Sequence, residues 1–453
     1  MGRLFGTDGV RGIANQELTP QLAFAIGQAG AYVLTGECGG KPKILVGKDT
    51  RISGDILEAA LVAGICSVGA EAVLVGVIPT PAIAYLVRTH AYDAGVMISA
   101  SHNSFEHNGI KYFSKEGYKL SDAIEERIEA IILDHAEEIV CPTHENIGHV
   151  SHADGLVRDY IDFVKSTVDG RLDGLRVAID CANGASSVTA KRALEELGAT
   201  VTVLCDKPNG ININDRCGST HMEQLMEYVK KDGGFDAGLA FDGDADRVLA
   251  VDENGEYVDG DKIMAVCALD MKARGKLPDN TVVATVMSNL GFFVMGEREG
   301  LTIKRTKVGD RYVLEEMLKC GHKIGGEQSG HVILLDYNTT GDGLVTGLLL
   351  LSVICRSKKK LSELASVMRV YPQVLVNARV KNEYKTEEAY QKVPEIAQLM
   401  KEIEMEFASS GRVLIRPSGT EPLVRVMIEG EDENRIRQRA EQLAKLMEEK
   451  LNE

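Results

Sequence analysis

Three stretches of the chain repeat one pattern of apolar and polar positions. The first, KILVGKD at residues 43–49, is a short apolar run that predicts a strand. A loop, a helical segment over residues 56–68, Gly69 and a second apolar run, EAVLVG, follow it. The second stretch reads LRVAIDC, the loop ANGA, a helix to Leu197, Gly198 and TVTVL. The third reads TVVATVM, the loop SNLG, a helix through Glu299, Gly300 and LTIKRT. In the second helix Ala190, Ala193, Leu194 and Leu197 fall on one face. Gly198 and Gly300 stand where helix C-termini are expected. Strands alternating with helices predict βαβ units with largely parallel pairing, and three such units predict three related α/β domains.

The last part of the chain changes pattern. Residues 373–380 alternate like a half-exposed strand; a helical segment over 387–407, the strands RVLIR and LVRVMIE, and a helix from about residue 431 follow. Ile436, Ala440, Leu443, Ala444, Met447 and Leu451 form one apolar stripe on that helix. The fold expected is therefore α/β: three related, mixed-sheet α/β domains over residues 1–152, 153–252 and 253–368, then a smaller α+β domain over 369–453. The longest strongly apolar run, residues 344–355, is too short to span a bilayer, which takes about 20 residues, and predicts a buried helix.

Composition narrows the function. The 453 residues include 51 Lys+Arg and 67 Asp+Glu, a formal charge of −16, which argues against a general nucleic-acid binder. It does not exclude an anionic substrate, because net charge says little about the field inside one cleft. The N-terminal MGRLFGTDGVRG lacks the apolar stretch and small-residue cleavage site of a secretory signal. Nine scattered cysteines, with no CxxC pair, suggest neither a disulfide framework nor a zinc site. A cytoplasmic protein with reduced thiols and no membrane partner is expected.

Four loops concentrate polar chemistry. ISASHNSFEHNGIK, residues 98–111, follows the apolar run AGVMI; Ser101 could carry a phosphoryl group, and His102 or Lys111 could handle protons or charge. A polar turn without chemistry is the alternative reading of this loop alone. In FDGDADR, residues 241–247, Asp242, Asp244 and Asp246 alternate, so an extended segment points their carboxylates one way. Without a cation these charges repel; oxygen ligands suit Mg²⁺ or Ca²⁺. An EF-hand is excluded, because its sixth position, which needs glycine, is Arg247 and both flanks read as strands. GGEQSGH, residues 325–331, offers Glu327 and Ser329 to paired hydroxyls, with a bland hairpin turn the equal alternative. RPSGTEP, residues 416–422, brings a guanidinium, two hydroxyls and the amides around Gly419 together as an anion nest, with Arg425 as a second fork.

In this order the four loops resemble those of the α-D-phosphohexomutase superfamily over essentially the whole chain: SASHN, DGDADR, GEQSGH and RPSGTEPLVRV. FGTDGVRG at residues 5–12 and Gln328 resemble the bacterial branch that acts on glucosamine phosphates. The resemblance implies four domains around a central cleft and interconversion of glucosamine 6-phosphate and glucosamine 1-phosphate, towards UDP-N-acetylglucosamine and the cell wall. It implies Ser101 as the phosphoryl carrier, with Asp242, Asp244 and Asp246 holding Mg²⁺ together with a phosphoserine oxygen on Ser101. Arg11, Lys111 and Arg247 would line the reacting centre, with Lys111, and less so His102, as proton carriers. Glu327 and Ser329 would bind sugar hydroxyls, and Val308, Gly309 and Asp310 would help choose orientation. Arg416, Ser418, Gly419, Thr420 and Arg425 would hold the phosphate that is not transferred. A glucosamine or glucose 1,6-bisphosphate activator, an activating kinase and a monomeric or homodimeric state fit the same resemblance. Two departures stand out: Ser104 replaces the family's proline, and His107 replaces its aspartate. A mannose- or glucose-phosphate mutase, a serine phosphohydrolase and a sugar-phosphate sensor are the alternative functions.

Overall fold

The computed structural model describes residues 3–6, 8–36, 41–408, 410–418 and 421–452. The chain divides into two compact units: Met1–Met287 with Thr302–Val367, and Ser288–Leu301 with Met368–Glu453.

The first unit holds three sheets. The first contains β1 (Val10–Ile13), β2 (Lys43–Lys48), β3 (Glu71–Val77), β4 (Ala94–Ile98), β5 (His107–Ser114) and β6 (Val150–His152), in the order β1-β5-β4-β2-β3-β6. The second contains β7 (Arg176–Asp180), β8 (Thr200–Leu204), β9 (Ala237–Phe241), β10 (Val248–Asp252) and β11 (Tyr257–Val258), in the order β11-β10-β9-β7-β8. The third contains β12 (Thr281–Thr285), β13 (Thr302–Thr306), β14 (Ile324–Gly326) and β15 (Val332–Leu334), in the order β13-β12-β14-β15.

The repeated sequence pattern becomes one structural step repeated three times. β2 and β3, β7 and β8, and β12 and β13 each pair in parallel across an intervening helix. Each sheet then turns antiparallel at one edge, through β4 and β5, β9 and β10, or β14 and β15. That switch matters because an antiparallel pair can be joined by a short loop anchored at both ends. The three polar loops read from the sequence in this unit are those connections. The apolar run at 344–355 lies in the helix Gly343–Ser357, whose first two turns are buried. Among the described residues no helix is long and apolar enough to cross a membrane.

The second unit is the smaller α+β part. β16 (Gln373–Arg379), β17 (Gly411–Pro417) and β18 (Leu423–Gly430) form an antiparallel sheet in the order β16-β18-β17. The stripe Ile436, Ala440, Leu443, Ala444, Met447 and Leu451 of the helix Glu433–Asn452 is buried in this unit's core, with Val424, Val426 and Ile428 of β18. The single helix expected over 387–407 is two, Glu387–Gln391 and Pro394–Phe407. Pro394 is the cause: the residue before a proline is pushed out of the helical region, and Val393 is extended (φ −85°, ψ 110°).

The helix Leu290–Glu299, which joins β12 to β13 in sequence, packs with the second unit. Asn289 caps it, its Oδ1 accepting from Gly291 N and Tyr371 N at 2.9 Å each. Leu290 N donates to Glu429 Oε1 (3.2 Å), and Arg412 donates to the Ser288 carbonyl (2.9 Å) while its guanidinium lies 5.3 Å from the Phe293 ring centre.

Candidate active site

Ser101 lies in the loop from β4 to β5 and is 1% exposed. Its backbone is left-handed (φ 53°), an unfavourable conformation for a residue with a Cβ that persists only where surroundings impose it. Those surroundings are specific. The Ser101 amide donates to Ser99 Oγ (2.9 Å), and Asn214 Nδ2 donates to the carbonyls of Ser101 and Asn103 (2.9 Å each). Arg51 Nη2 donates to the same two carbonyls at 3.2 and 2.5 Å, its guanidinium held by buried Asp49. A Cβ on Gly243 would lie 2.6 Å from the Ser101 carbonyl oxygen, so glycine is required for this approach. The hydroxyl is thereby aimed at the aspartate loop, donating to Asp242 Oδ2 at 2.6 Å.

The aspartate loop connects β9 to β10. Its carboxylates converge, but not by extended alternation. The segment is a tight turn, with Ala245 left-handed (φ 56°) and its amide donating to the Asp242 carbonyl (3.1 Å). Carboxylate oxygens of Asp242, Asp244 and Asp246 lie within 4.8 Å of one another, and all three residues are buried. Asp244 Oδ2 accepts from Lys111 Nζ (2.9 Å) and Thr80 Oγ1 (2.7 Å); Asp242 Oδ1 accepts from Arg247 N (3.2 Å). Asp244 Oδ1 and Asp246 Oδ1 are buried without a hydrogen-bond donor among the described residues. Burial, with the neighbouring Asp246 and Asp244 charges, pushes the Asp242 carboxyl well above the usual range. Burial also acts to raise Asp246, but the His331 charge and hydrogen bond, with Lys111, outweigh it and hold that carboxyl low. Unsatisfied, closely spaced oxygen donors in a buried cage fit a hard divalent cation such as Mg²⁺.

Around the cage runs a chain of charges. Lys111 Nζ also lies 2.9 Å from Asp8 Oδ2, and Lys119 Nζ bridges Asp8 Oδ1 and Asp310 Oδ2 at 2.6 Å each. Arg11 pairs with Asp8. His331 stands between Asp246 and Asp310, with its ring nitrogens 3.5 Å from each carboxylate. Desolvation opposes charge on Lys111, yet Asp244, Asp8 and Asp246 outweigh it and hold the ammonium protonated. His102 Nδ1 is 3.4 Å from Ser101 Oγ; burial, then the charges of Arg247 and Arg11, lower its pKa to about 4, so its imidazole is neutral near pH 7. Among the described residues the Nε atoms of Arg11 and Arg247 are buried without a hydrogen-bond acceptor, although Asp246 Oδ1 lies 3.8 Å from Arg247 Nε, which leaves N–H groups to meet an anion.

The loop from β14 to β15 carries Glu327 and Ser329. It folds back on itself, with Glu327 N donating to the His331 carbonyl and Gly330 N to the Glu327 carbonyl, 3.0 Å each. Val248 N donates to the Gly330 carbonyl (3.1 Å), which sets this loop beside Arg247. Glu327 Oε1 accepts from Gly309 N (3.2 Å), joining it to the Val308–Gly309 turn, and Val308 is exposed. The Asp310 carboxylate is engaged by Lys119 and His331.

In the second unit, Arg416 and Arg425 face each other across β17 and β18. Burial, then repulsion from Arg425, lowers the Arg416 pKa. Arg425 donates to Glu421 Oε2 (3.0 Å), and Ser418 Oγ accepts from Glu421 N (3.2 Å). Gly419 and Thr420 lie outside the described residues. Two guanidiniums opposed in one antiparallel pair repel unless an anion lies between them.

Several participants were not singled out by the sequence reading. Asp8 shares FGTDGVRG with Arg11, and Asp49 and Arg51 follow directly on β2, at a strand end where sites are usually built, so each had a local signal. His331 closes the GGEQSGH loop and had the same kind of signal, whereas Thr80, Lys119 and Asn214 reach the site only through tertiary packing.

Family models for phosphoglucomutase/phosphomannomutase match the chain in series: alpha/beta/alpha domain I at residues 2–138, domain II at 158–255, domain III at 259–371 and the C-terminal domain at 375–446. The chain belongs to the phosphoglucomutase/phosphomannomutase family. Within that family it is 62% identical to the phosphoglucosamine mutase of Acetivibrio thermocellus and 61% identical to that of Ruminiclostridium cellulolyticum, each over 100% of both chains. The fold is shared with a family protein from Burkholderia thailandensis (TM-score 0.82, 22% identity, 99% and 98% of the two chains covered). It is also shared with the N-acetylphosphoglucosamine mutase of Aspergillus fumigatus, solved with GlcNAc-6P and magnesium (TM-score 0.70, 17% identity, 99% and 96% covered).

Proposed function

We propose that this enzyme interconverts glucosamine 6-phosphate and glucosamine 1-phosphate through a phosphorylated Ser101, feeding amino-sugar precursors of the cell wall. The observation that carries the reading is the 2.6 Å bond from buried Ser101 to the aspartate cage, in a chain 62% identical to a phosphoglucosamine mutase.

Asp242, Asp244 and Asp246 would hold Mg²⁺, which when bound supplies positive charge against the phosphoryl oxygens. The rest follows from the chain's own residues. Phosphoryl transfer needs charge stabilisation and positioning more than covalent assistance. In the first half, the free sugar hydroxyl gives up its proton as its oxygen bonds to phosphorus. The bond from phosphorus to Ser101 Oγ breaks, and Oγ takes up a proton. The product is a 1,6-bisphosphate. In the second half Ser101 Oγ gives up its proton and bonds to the other phosphorus, whose bond to the sugar oxygen breaks as that oxygen takes up a proton. The Nε–H groups of Arg11 and Arg247, without a hydrogen-bond acceptor among the described residues, suit a phosphoryl group together with the Lys111 ammonium. Glu327 and Ser329 would receive the sugar hydroxyls, and Arg416, Ser418 and Arg425 the resting phosphate. A hexose 1,6-bisphosphate would prime the unphosphorylated enzyme.

The test is formation of glucosamine 1-phosphate in Mg²⁺, primed with glucose 1,6-bisphosphate, beside the glucose and mannose phosphates. Faster turnover of either other sugar would reassign the substrate, and stoichiometric release of inorganic phosphate would make the enzyme a hydrolase.

A further inference from the structure

Away from the carboxylate cage, a second cluster lies at the carboxyl ends of β7 and β8. A carboxylate oxygen of Asp180 and the sulfurs of Cys205 and Cys217 all lie within 4.8 Å of one another. Cys217 is buried and Cys205 is partly exposed. Both Asp180 oxygens already accept backbone amides, Ala182 N at 2.8 Å and Gly218 N at 2.9 Å. The carboxylate therefore has a structural task, and the two thiols face one another.

The chain between the cysteines reaches the active site. It carries Asn214, whose amide nitrogen holds the carbonyls of Ser101 and Asn103. Asn214 N donates to the Ala182 carbonyl (2.9 Å), and Asn183 N donates to the Cys205 carbonyl (2.6 Å). Asn183 Nδ2 also lies 3.8 Å from Cys217 Sγ. Ala182, Asn183, Cys205, Asn214 and Arg216 all have left-handed backbones, between 48° and 58° in φ. A pair of sulfurs thus sits at the base of a strained loop whose tip grips the Ser101 loop.

We propose that Cys205 and Cys217 form a peroxide-oxidisable thiol pair, and that closing the disulfide withdraws Asn214 from Ser101 and slows the enzyme. Contact with Cys217 outweighs burial and lowers the Cys205 pKa, while contact with Cys205 and burial raise that of Cys217; Cys205 Sγ also lies 3.6 Å from Gln224 Oε1, to which its thiol form donates. The partly exposed sulfur is therefore the nucleophile and the buried one its partner. The Cys205 thiolate attacks one oxygen of a peroxide. The O–O bond breaks, giving a sulfenic acid and a hydroxide that takes up a proton as water. The Cys217 sulfur then attacks the Cys205 sulfur. The S–O bond breaks, and the departing hydroxide leaves as water with the Cys217 proton. In sum, two thiols and one hydrogen peroxide give one disulfide and two waters, and the two electrons lost by sulfur pass to the peroxide oxygens. A disulfide needs sulfurs about 2.05 Å apart, closer than two thiols in contact, so closing the bond draws the ends of this loop together.

The experiment treats the fully reduced full-length chain with small molar excesses of hydrogen peroxide, blocks remaining thiols by alkylation and maps the peptides by mass. A Cys205–Cys217 cross-link is expected, two hydrogens lighter than the reduced peptides. It should form in step with an about 10-fold or greater fall in mutase rate that dithiothreitol reverses. Cys205→Ser and Cys217→Ser should each abolish the cross-link and keep their rate in peroxide. Two results would overturn the proposal. One is a wild-type map in which Cys205 and Cys217 stay reduced while exposed Cys141 and Cys320 oxidise. The other is a Cys217→Ser variant that loses rate to peroxide as the wild type does. The peptide map needs no variant and no turnover, so it decides the chemistry even where a variant folds poorly or the substrate differs.

Discussion

The Ser101 region and the Arg416 hairpin are both antiparallel connections to which the proposed function gives a phosphate, yet they are built in opposite ways. Around Ser101 nearly every polar atom is already spoken for: its amide, its carbonyl and its hydroxyl all have partners, and the backbone is held in a left-handed conformation. Around Arg416 the structure brings two like charges together, and Glu421 pairs with Arg425 at the edge. A centre that must aim one oxygen in phosphoryl transfer gains from preorganisation. A site that only retains a phosphate can leave its field uncompensated until the ligand arrives, because the ligand completes it.

That contrast can be broken by removing each region's defining group. The largest effect should come from Ser101→Ala, with activity falling at least ~10³-fold, read by a coupled assay and by loss of the phosphopeptide. Full activity with phosphate found elsewhere would end the mechanism. Next is Asp244→Ala, which strips one cage ligand and leaves Lys111 with one fewer carboxylate. Activity should fall by about 10²-fold or more and Mg²⁺ titration should lose its saturation. Chelation of the wild-type enzyme should mimic it, and unchanged metal dependence would reject the cage. Arg416→Ala should act differently, raising KM by about 10-fold while Ser101 phosphorylation stays intact. Its melting temperature should hold or rise slightly, because the substitution relieves repulsion from Arg425. A kcat loss with KM unchanged would place Arg416 in the preorganised class instead. The smallest effect should be that of Asn214→Ala, lowering kcat by about 10-fold with little change in KM, because it loosens the Ser101 loop without touching substrate.

The sequence made some of this legible and hid the rest for definable reasons. Local pattern exposes strand-turn-helix-strand units, so the three parallel steps and the four polar loops could be read directly. DGDADR announces a cation by composition, but the inference that alternation aligns its carboxylates was wrong in mechanism. A turn through Ala245 brings them together, and the backbone rather than the side-chain period sets their direction. The partition of 387–407 is legible in Pro394 itself, because the residue before a proline leaves the helical region. The links from Asp8 to Lys119 and from Lys119 to Asp310 are not legible in the sequence, because they join residues far apart in the chain and form only when the sheets pack.

The helix Leu290–Glu299 sets the terms on which this chain can be recombined. Its cap residue Asn289, its first amide and its Phe293 ring are fastened to Tyr371, Glu429 and Arg412, while the strands on either side of it belong to the third sheet. The C-terminal part is therefore not a cassette that ends at one linker. A chimera exchanging it with a relative must carry residues 288–301 along with 368–453. Grafting the tail alone would leave a foreign helix facing Glu429 and Arg412, and relatives can drift in either segment only by changing both.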